Sequence, residues 1–332
     1  MKVSIVVPVH NVAAYIERCV RSVMAQTFAG ELECLLVEDP GDDDSFARAE
    51  RLVAAYAGPV VFRLLRLPES RGVSAARNLG MAEATGDYIY YLDSDDEITP
   101  DCIEKLVRPL ERDAGIELVL GNYEFVEEGY SLGRKPQALQ EEDIPTHEGV
   151  VAFTKRSNNV MCWNKLTRRS FLTEHGIAFK EGVLLEDNLW SFYVSQYLSH
   201  MYILPEVTYR YCIHPNSMVT GTRKEKLAHD QNLMYEDMAK FINANGDPCH
   251  EAGFYVDRIL SLLIEQPDIQ AYDSSLALFK QGMKARGERT WAMYASLIQG
   301  LTRSRAGRRV LPAVFGLIRL VRYRGSRPKV KK

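Results

Sequence analysis

One stretch decides the fold of this chain, and it is Tyr88-Ile89-Tyr90-Tyr91-Leu92-Asp93-Ser94-Asp95-Asp96. Five residues typical of β-strands run directly into a turn that carries three carboxylates. Crowded carboxylates repel one another and need a compensating cation, so this strand end is a candidate metal site. In open α/β sheets, ligands bind at the carboxyl ends of the strands. The alternative is a solvated turn before a helix, because Asp and Ser favour both.

Strands and helices alternate around this stretch. The β-branched run 3–9 is predicted as a buried parallel strand, and Asn11 as the N-cap of the helix that follows it. Further strands are predicted at 32–37, 60–67, 88–92, 117–125 and 201–211. Such alternation indicates an α/β protein with a mostly parallel, doubly wound sheet. Residues 127–149 are polar and predicted as a mobile loop, whereas the pattern beyond residue 222 is helical.

Composition and charge exclude several classes of protein. Apolar residues make up 46% of the 332, which is enough for a sizeable core. The net charge is −3, but residues 301–332 hold eleven Lys/Arg and no acid, so the first 300 residues carry −14. A nucleic-acid-binding protein should not have such an acidic body, and we predict no nucleic-acid partner. The six cysteines form no CxxC pair, which argues against a zinc site and a disulfide framework.

Two common nucleotide-binding fingerprints are missing from the sequence. No GxGxxG follows the first strand and no GxxxxGK[ST] occurs, which argues against a dinucleotide site and a P-loop. The acidic segments 38–44 and 93–96 would repel a bare pyrophosphate, but they would accept one that arrives with a divalent cation. The two segments therefore favour a metal-bound diphosphate as the ligand of this sheet.

Five motifs follow one another in an order known from one enzyme family. They are Val7-Pro8-Val9-His10-Asn11, the acidic turn 38–45, Gly72-Val73-Ser74-Ala75-Ala76-Arg77-Asn78, Asp93-Ser94-Asp95-Asp96 and Glu186-Asp187. Over residues 1–215 the chain resembles the family 2 glycosyltransferases, which are inverting enzymes with the GT-A fold. Trp163-Asn164-Lys165-Leu166 and Tyr209-Arg210-Tyr211 resemble the branch that builds bacterial capsule, O-antigen and exopolysaccharide. The second motif departs from the family pattern, because it has Glu38 where the family has Asp, and an additional Pro40.

The resemblance implies a nucleotide-sugar donor, with UDP as the default nucleotide. The implied binding residues are Pro8, His10, Asn11, Asp39, Arg77, Asn78, Asp93 and Ser94. Asp39 would accept a hydrogen bond from the base, and His10 would lie against that base. Arg77 would add a charge-assisted contact to phosphate or base, and Asp93 would reach the ribose or a metal-bound water.

A divalent metal, Mn²⁺ or Mg²⁺, is the implied cofactor. Asp95 is the predicted direct ligand, and Asp93 and His214 are predicted as further ligands. The ion would bridge Asp95 to the diphosphate and neutralise the leaving group as a Lewis acid. Asp96 is predicted only to start the next helix.

The resemblance makes Asp187 the catalytic base. An inverting enzyme uses one in-line displacement, and a positioned carboxylate takes the proton of the weakly nucleophilic acceptor hydroxyl. Asp187 lies where a loop becomes a helix, and a helix N-terminus favours the ionised form. Glu186 would orient Asp187 or hold acceptor hydroxyls. The alternative is that both are ordinary helix-start acids.

The resemblance also divides the chain into a GT-A domain, 1–215, and a helical C-terminal region, 216–332. Within the first, 1–112 is the predicted nucleotide-binding half and 113–215 the predicted acceptor half. The segment 305–332 combines an apolar helical face with a polybasic end, which predicts peripheral contact with an anionic membrane. The alternative is a helix packed on the catalytic domain, followed by a basic tail.

The expected reaction moves one sugar to a hydroxyl of a glycan or a lipid-diphosphate-linked acceptor in cell-surface polysaccharide synthesis. The chain shows no signal-peptide pattern and no apolar run of roughly 18 residues, so we expect it to be cytoplasmic, or peripheral on the inner face of the plasma membrane. Two alternatives stay open. A sugar-nucleotide nucleotidyltransferase would carry a Gly-rich loop with Arg and Lys where this chain has Pro8-Val9-His10-Asn11-Val12. A degenerate GT-A scaffold would keep the fold without the chemistry, against which Asp95 and Asp187 argue.

Overall fold

The structure is a computed structural model of the chain. It describes residues 1–127, 133, 135–157, 159–214, 224–246, 255–256, 258–259, 262, 272–285, 287, 289–302, 307 and 309–310. The chain divides into two compact units, Met1–Gly221 and Thr222–Lys332. Most of the segment 305–332, including its polybasic end, lies outside the described residues. The predicted membrane contact of that segment therefore stays a prediction.

A mixed sheet of nine strands forms the first unit. Its strands are β1 Lys2–Val9, β2 Glu31–Glu38, β3 Val61–Arg66, β4 Tyr88–Tyr91, β5 Glu97–Ile98, β6 Leu118–Glu127, β7 Glu142–Ile144, β8 Lys165–Arg168 and β9 Met201–Ile213. They lie in the order β3-β2-β1-β4-β8-β6-β9-β5, and β7 pairs with β9. Strands β5, β7 and β8 run opposite to the other six, so the sheet is mostly parallel, as predicted.

Helices cover both faces of this sheet. They are α1 Ile16–Met24, α2 Ser45–Ala54, α3 Val73–Glu83, α4 Cys102–Arg112, α5 His147–Ser157, α6 Arg169–Glu174 and α7 Glu186–Tyr197. Apolar side chains of α1, α2 and α4 belong to one buried cluster, and those of α3, α5, α6 and α7 belong to a second. Strand β1 alternates between the two clusters, because its apolar run is buried on both sides.

The second unit includes the helices α8 Lys224–Asn245, α9 Asp273–Ala285 and α10 Arg289–Thr302. Helix α9 packs against both α8 and α10. Its buried face is apolar and includes Leu276, Phe279 and Met283. Within the part of the chain that the structure describes, no helix combines the length and the hydropathy that a membrane span requires.

The direction of the strands collects the polar strand ends at one edge of the sheet, which we call the carboxyl edge. Strands β1, β2, β4, β6 and β9 all end there. Strand β8 is antiparallel to β4 and β6, so residues 159–164, which precede it, also lie at this edge. Gly80 lets α3 approach β1, because a Cβ at that position would lie 2.4 Å from Cγ1 of Val6. This close approach fixes the helix that carries Arg77.

The structure differs from the sequence-based expectation at Asn11. Helix α1 begins at Ile16, and Asn11 is not its N-cap. Asn11 instead has φ +50°, and its Oδ1 accepts a hydrogen bond from the backbone N–H of Asp42 at 2.8 Å. Asn tolerates this left-handed conformation better than most residues. The residue therefore joins two loops of the carboxyl edge rather than starting a helix.

The expectation of a loop over 127–149 was wrong in part. Residues 142–144 form β7, and α5 begins at His147. Residues 128–132 and 134 lie outside the described part of the chain. The short strands β5 and β8 were also not predicted, because segments of two and four residues carry no readable periodicity.

Candidate active site

A buried guanidinium lies at the centre of the carboxyl edge. Arg77, on α3, is 3% exposed, and its Nη2 donates to Oδ1 of Asp93 at 2.7 Å. Its Nη1 donates to Oε1 of Glu186 and lies 3.4 Å from Oδ1 of Asp187. We call these four residues the Arg77 cluster. It joins the end of β4 to the first turn of α7, so residues more than 90 positions apart in sequence share one cation.

The acids of this cluster are not equivalent. Burial raises the pKa of Asp93 to about 6; Arg77 opposes the shift, while Asp95 and Asp187 add to it. Burial also raises the pKa of the Glu186 carboxyl, against the opposing charge of Arg77. Glu186 is almost enclosed, whereas the Asp187 side chain is 22% exposed. Asp187 is therefore the member of the pair at the start of α7 that a substrate can reach.

Cys162, just before β8, and Lys165, the first residue of β8, lie next to the Arg77 cluster. Burial raises the pKa of the Cys162 thiol, and a hydrogen bond with Asp187 contributes to the rise. Lys165 is buried and its ammonium donates to the carbonyl oxygens of Met161 and Asn159. Burial lowers the pKa of Lys165 to about 8. These contacts fix the loop on which Cys162 meets Asp187.

A pair formed by a carboxylate and an imidazole lies beside the Arg77 cluster. Oδ2 of Asp95 lies 2.9 Å from Nε2 of His214, the residue that follows β9. The His214 ring stacks on Tyr15 with 4.3 Å between ring centroids, and its Nδ1 is buried without a hydrogen-bond partner. The side chain of Asp95 is 31% exposed. We call Asp95 and His214 the Asp95 pair.

The donor atoms of the Asp95 pair suit a divalent ion. Imidazole nitrogen and carboxylate oxygen both bind Mn²⁺, and Mg²⁺ is commonly held by one or two carboxylates together with substrate phosphates. Among the residues that the structure describes, no group of three or more His, Cys, Asp or Glu is placed to hold a metal ion. Asp93, the third predicted ligand, bonds to Arg77. A metal at this position would therefore depend on oxygen atoms of the substrate or water.

Asp96 does not begin a helix, contrary to the expectation from sequence. It is 1% exposed, and its Oδ2 accepts a hydrogen bond from the hydroxyl of Tyr209 at 2.6 Å. Its Oδ1 accepts from the backbone N–H of Cys212 at 2.7 Å. Burial raises the pKa of Asp96 well above its ordinary value, and the nearby acids Asp95 and Asp93 raise it further. Asp96 thus anchors the acidic turn to β9.

Asp39 organises the other end of the carboxyl edge. Its carboxylate accepts hydrogen bonds from the backbone N–H groups of Arg71 and Gly72, at 2.7 and 3.1 Å, and from the hydroxyl of Ser70. Nδ1 of His10 lies 2.9 Å from the backbone oxygen of Asp39. Asp39 is 2% exposed, and the side chain of His10 is 44% exposed. The two predicted base-binding residues are therefore adjacent, with the imidazole on the outside.

Two predicted donor-site residues make contacts different from those expected. Arg77 is enclosed by carboxylates rather than free for a phosphate. Both polar ends of Asn78 bond to the backbone of Phe179, at 2.8 and 2.9 Å. Pro8 lies inside β1 opposite Val37, and Ser94 is 7% exposed. Pro8 and Ser94 thus shape the edge from within the fold.

Several residues of the site could not be found from the sequence motifs. Cys162 lies on the loop that precedes the four-residue strand β8. Tyr15 reaches His214 across nearly 200 positions. Arg71 extends from the loop held by Asp39 to Glu181, at 2.6 Å, in the loop before α7. In each case the signal is a tertiary contact, and no local pattern carries it.

Comparisons with known proteins identify the family of this chain. The model of the family described as glycosyl transferase family 2 matches residues 4–176. The putative glycosyltransferase EpsH of Bacillus subtilis is 32% identical over 250 residues, which are 73% of this chain and 70% of EpsH. The succinoglycan biosynthesis protein ExoO of Rhizobium meliloti is 29% identical over 191 residues, 56% of this chain and 53% of ExoO.

A solved structure confirms the predicted fold. S. aureus TarS 1–349, crystallised in complex with UDP-GlcNAc, superposes with a TM-score of 0.71 at 18% identity. The alignment covers 96% of this chain and 92% of that one. At 18% identity this superposition shows the fold alone, whereas the match to the family model assigns the chain to its family. The chain belongs to glycosyl transferase family 2, has the GT-A fold and is a glycosyltransferase.

Proposed function

We propose that this enzyme is a metal-dependent, inverting glycosyltransferase that moves one sugar from UDP to a hydroxyl of a glycan or lipid-linked acceptor. The observation that carries the proposal is the position of Asp187. Its carboxylate stands in the first turn of α7, is partly exposed, and is held by Arg77 beside the strand end that carries Asp93. A base must stand beside the donor site for a direct displacement at the anomeric carbon.

Asp187 would take the proton of the acceptor hydroxyl. Its carboxylate lies in the first turn of α7, 3.4 Å from Nη1 of Arg77, which holds it in position. The buried Glu186 accepts a hydrogen bond from the same Nη1 of Arg77 and so helps to fix the guanidinium. Proton transfer by a positioned carboxylate contributes about 10²–10⁴ to the rate of such reactions.

The Asp95 pair would hold Mn²⁺ or Mg²⁺, with Asp93 close enough to bind a water on the ion. When bound, the ion would neutralise the charge that develops on the leaving diphosphate. The partly exposed Asp95 carboxylate and the His214 imidazole nitrogen 2.9 Å from it support this assignment. Asp96 and Tyr209 keep the turn in place without reaching the ligand themselves.

UDP is the proposed nucleotide. The TarS structure with UDP-GlcNAc, which shares this fold, supports a nucleotide-sugar donor. On this chain, His10 presents an exposed ring and Asp39 accepts three hydrogen bonds beneath it, so a base would meet a flat ring and an anchored carboxylate. We propose that Asp39 uses its remaining lone pair on the base.

Polysaccharide synthesis is the proposed setting. The name of ExoO refers to succinoglycan biosynthesis, and the alignment with that relative covers 56% of this chain. An acceptor linked to a lipid diphosphate would lie at a membrane surface, which the polybasic segment 305–332 would contact. Deletion of 305–332 should release the protein from vesicles of anionic lipid and leave donor hydrolysis unchanged.

The proposal is tested by a screen of nucleotide sugars with Mn²⁺ or Mg²⁺. We expect one UDP-sugar to bind, and to be hydrolysed slowly to UDP and a sugar of inverted anomeric configuration, as followed by proton NMR. Release of pyrophosphate from a nucleoside triphosphate and a sugar phosphate would contradict the proposal and favour a nucleotidyltransferase. Binding without any turnover would contradict it in favour of a scaffold.

A further inference from the structure

Five aromatic rings form a continuous wall on β6, β9 and the loop before β8. Strands β6 and β9 pair in parallel, and their register places Tyr123 opposite Tyr209 and Phe125 opposite Tyr211. Alternate residues of a strand share one face, so these four side chains stand on the same side of the sheet. Trp163 stacks on Tyr209 at 4.4 Å and on Tyr211 at 5.7 Å. We call this set the aromatic wall.

The wall has an inner and an outer part. Trp163 and Tyr209 are 6% and 0% exposed, as expected of core residues. Tyr123, Phe125 and Tyr211 are only half-buried. The outer rings contact one another and the inner ones, with 5.9 Å between the centroids of Phe125 and Tyr211 and 5.0 Å between those of Tyr123 and Trp163. A rigid base thus supports three partly exposed rings.

The outer rings stand at the carboxyl edge. Strand β4 ends at Tyr91, but the ladder between β6 and β9 continues to Glu127 and Ile213, so the wall extends beside the acidic turn. Burial, together with the neighbouring acids Asp96, Asp95 and Asp93, raises the pKa of Tyr211 to about 12. That hydroxyl therefore stays a hydrogen-bond donor at neutral pH.

The wall also reaches the strand end that belongs to the Arg77 cluster. The backbone N–H of Asp93 donates to the hydroxyl of Tyr209, an inner ring of the wall, at 3.4 Å. Oδ1 of Asp93 accepts from Arg77, which also contacts the proposed base Asp187. Glu124 and Arg210 bond to each other at 3.1 Å on the opposite face, whereas Glu127, the last residue of β6, is on the same face as Tyr123 and Phe125. The wall therefore offers aromatic surface together with the hydroxyls of Tyr123 and Tyr211, and it ends at a carboxylate.

We propose that the aromatic wall binds a pyranose ring of the acceptor glycan, stacked on Phe125 and bounded by the ring of Tyr211, which is tilted by 61° to it, so that the nucleophilic hydroxyl of the sugar reaches Asp187. The inference rests on the proposed function, since it assumes a sugar acceptor. The C–H bonds on one face of a pyranose are apolar and slightly positive, and an aromatic face is negative, so the two attract. The hydroxyls at the rim of the sugar would then meet the Tyr211 hydroxyl and the acids of the turn.

The test measures saccharide binding separately from nucleotide binding. Saturation-transfer NMR with cellotriose, chitotriose and maltotriose, in the presence of UDP and Mn²⁺, should show contact to the wild-type protein for at least one of them. Phe125→Ala and Tyr211→Ala should each weaken that binding by about tenfold, which corresponds to about 1.4 kcal/mol. Tyr211→Phe keeps the ring and should stay within about twofold of the wild type.

Two further variants serve as a second probe and a control. Phe125→Leu keeps an apolar side chain in the sheet and removes the aromatic face, so it should also lose binding. Phe62→Ala truncates a similar half-buried ring on β3, at the far end of the sheet, and should change nothing. UDP affinity should be the same in all variants, which also shows that they are folded.

The outcomes separate this inference from the proposed function. Wild-type binding of UDP with no contact to any of the three saccharides would overturn the wall as an acceptor site. So would unchanged saccharide binding by Phe125→Ala or Phe125→Leu. Failure of the wild type to bind any nucleotide would instead count against the proposed function itself.

Discussion

Two groups of acids share the carboxyl edge, and they are balanced in different ways. In the Arg77 cluster, a guanidinium that is 3% exposed serves three carboxylates. In the Asp95 pair, a carboxylate that is 31% exposed meets an imidazole. The chain thus provides its own permanent cation where the geometry of Asp187 must be fixed. At Asp95 it leaves a carboxylate open, which we propose is completed by a metal ion.

Removing the cation of the Arg77 cluster should have the largest effect. Arg77→Met leaves Glu186 buried without its partner, and breaking a buried ion pair costs about 3–5 kcal/mol. The free energy of unfolding in urea should fall by that amount. Donor hydrolysis should fall by at least about 10²-fold, because Asp187 loses its position. Arg48→Met, which breaks an exposed helical pair with Asp44, should change neither quantity measurably.

Lys165 provides a third arrangement, a buried cation that faces backbone carbonyls. Its native pKa of about 8 lies below the ordinary value of 10.5, so between these values the unfolded chain holds a proton that the native state has lost. The free energy of unfolding should therefore rise with pH over this window, by up to about 3 kcal/mol.

Urea unfolding of the wild type and Lys165→Met from pH 7 to 10.5 measures this contribution. The difference between the two proteins should increase across the window in favour of the wild type. Lys240→Met, which removes an exposed lysine, should follow the wild-type curve in parallel. If the curve of Lys165→Met ran parallel to that of the wild type, the pKa of Lys165 would not be lowered in the native state.

Changing the Asp95 pair should alter the metal dependence of UDP binding rather than the free energy of unfolding in urea. Asp95→Asn should remove the increase in UDP affinity that Mn²⁺ produces, which we expect to be about 10- to 100-fold for a proposed ligand of this kind. UDP affinity without metal should be unchanged. Calorimetric titration with and without Mn²⁺ measures both, and Asp143→Asn, in the exposed Asp143–His200 pair, is the matched control. If Asp95→Asn kept the full effect of Mn²⁺ on UDP affinity, other residues would have to bind the ion.

The smallest effect is expected where an ion pair is exposed. Arg71 and Glu181 connect the loop held by Asp39 to the loop before α7, but their side chains are 48% and 38% exposed. Such pairs contribute about 0–1 kcal/mol. Glu181→Gln should therefore lower the free energy of unfolding by less than about 1 kcal/mol. A loss comparable with that of Arg77→Met would mean that exposure is not what separates the two kinds of pair.

Sequence analysis found many residues of this site but few of the contacts between them. The strand ends at Asp39 and Asp93 and the helix start at Asp187 stand out, because an element boundary and an acid coincide there in a short local pattern. The fold followed from the same alternation of strands and helices. Arg77 was found as part of a motif, yet its partners Glu186 and Asp187 lie 109 and 110 positions away, and no local pattern shows them.

The residues that sequence analysis assigned differently share one cause. Asp96 belongs to an acidic run that suggests solvent, but its hydrogen bonds come from β9, 113 and 116 positions later. Asn11 stands where an N-cap is expected, and a contact with the neighbouring loop determines its conformation. Burial and pairing across the sheet decided both positions, and these are properties of the assembled fold.

The central claim is that Asp187, held by Arg77, is the catalytic base. Asp187→Asn tests it most directly, because the amide keeps the size of the side chain and an oxygen for Arg77. With the UDP-sugar identified by the screen, kcat for transfer or hydrolysis should fall by about 10²–10⁴-fold, and UDP affinity should stay within about twofold. A variant that turns over at the wild-type rate would contradict the claim.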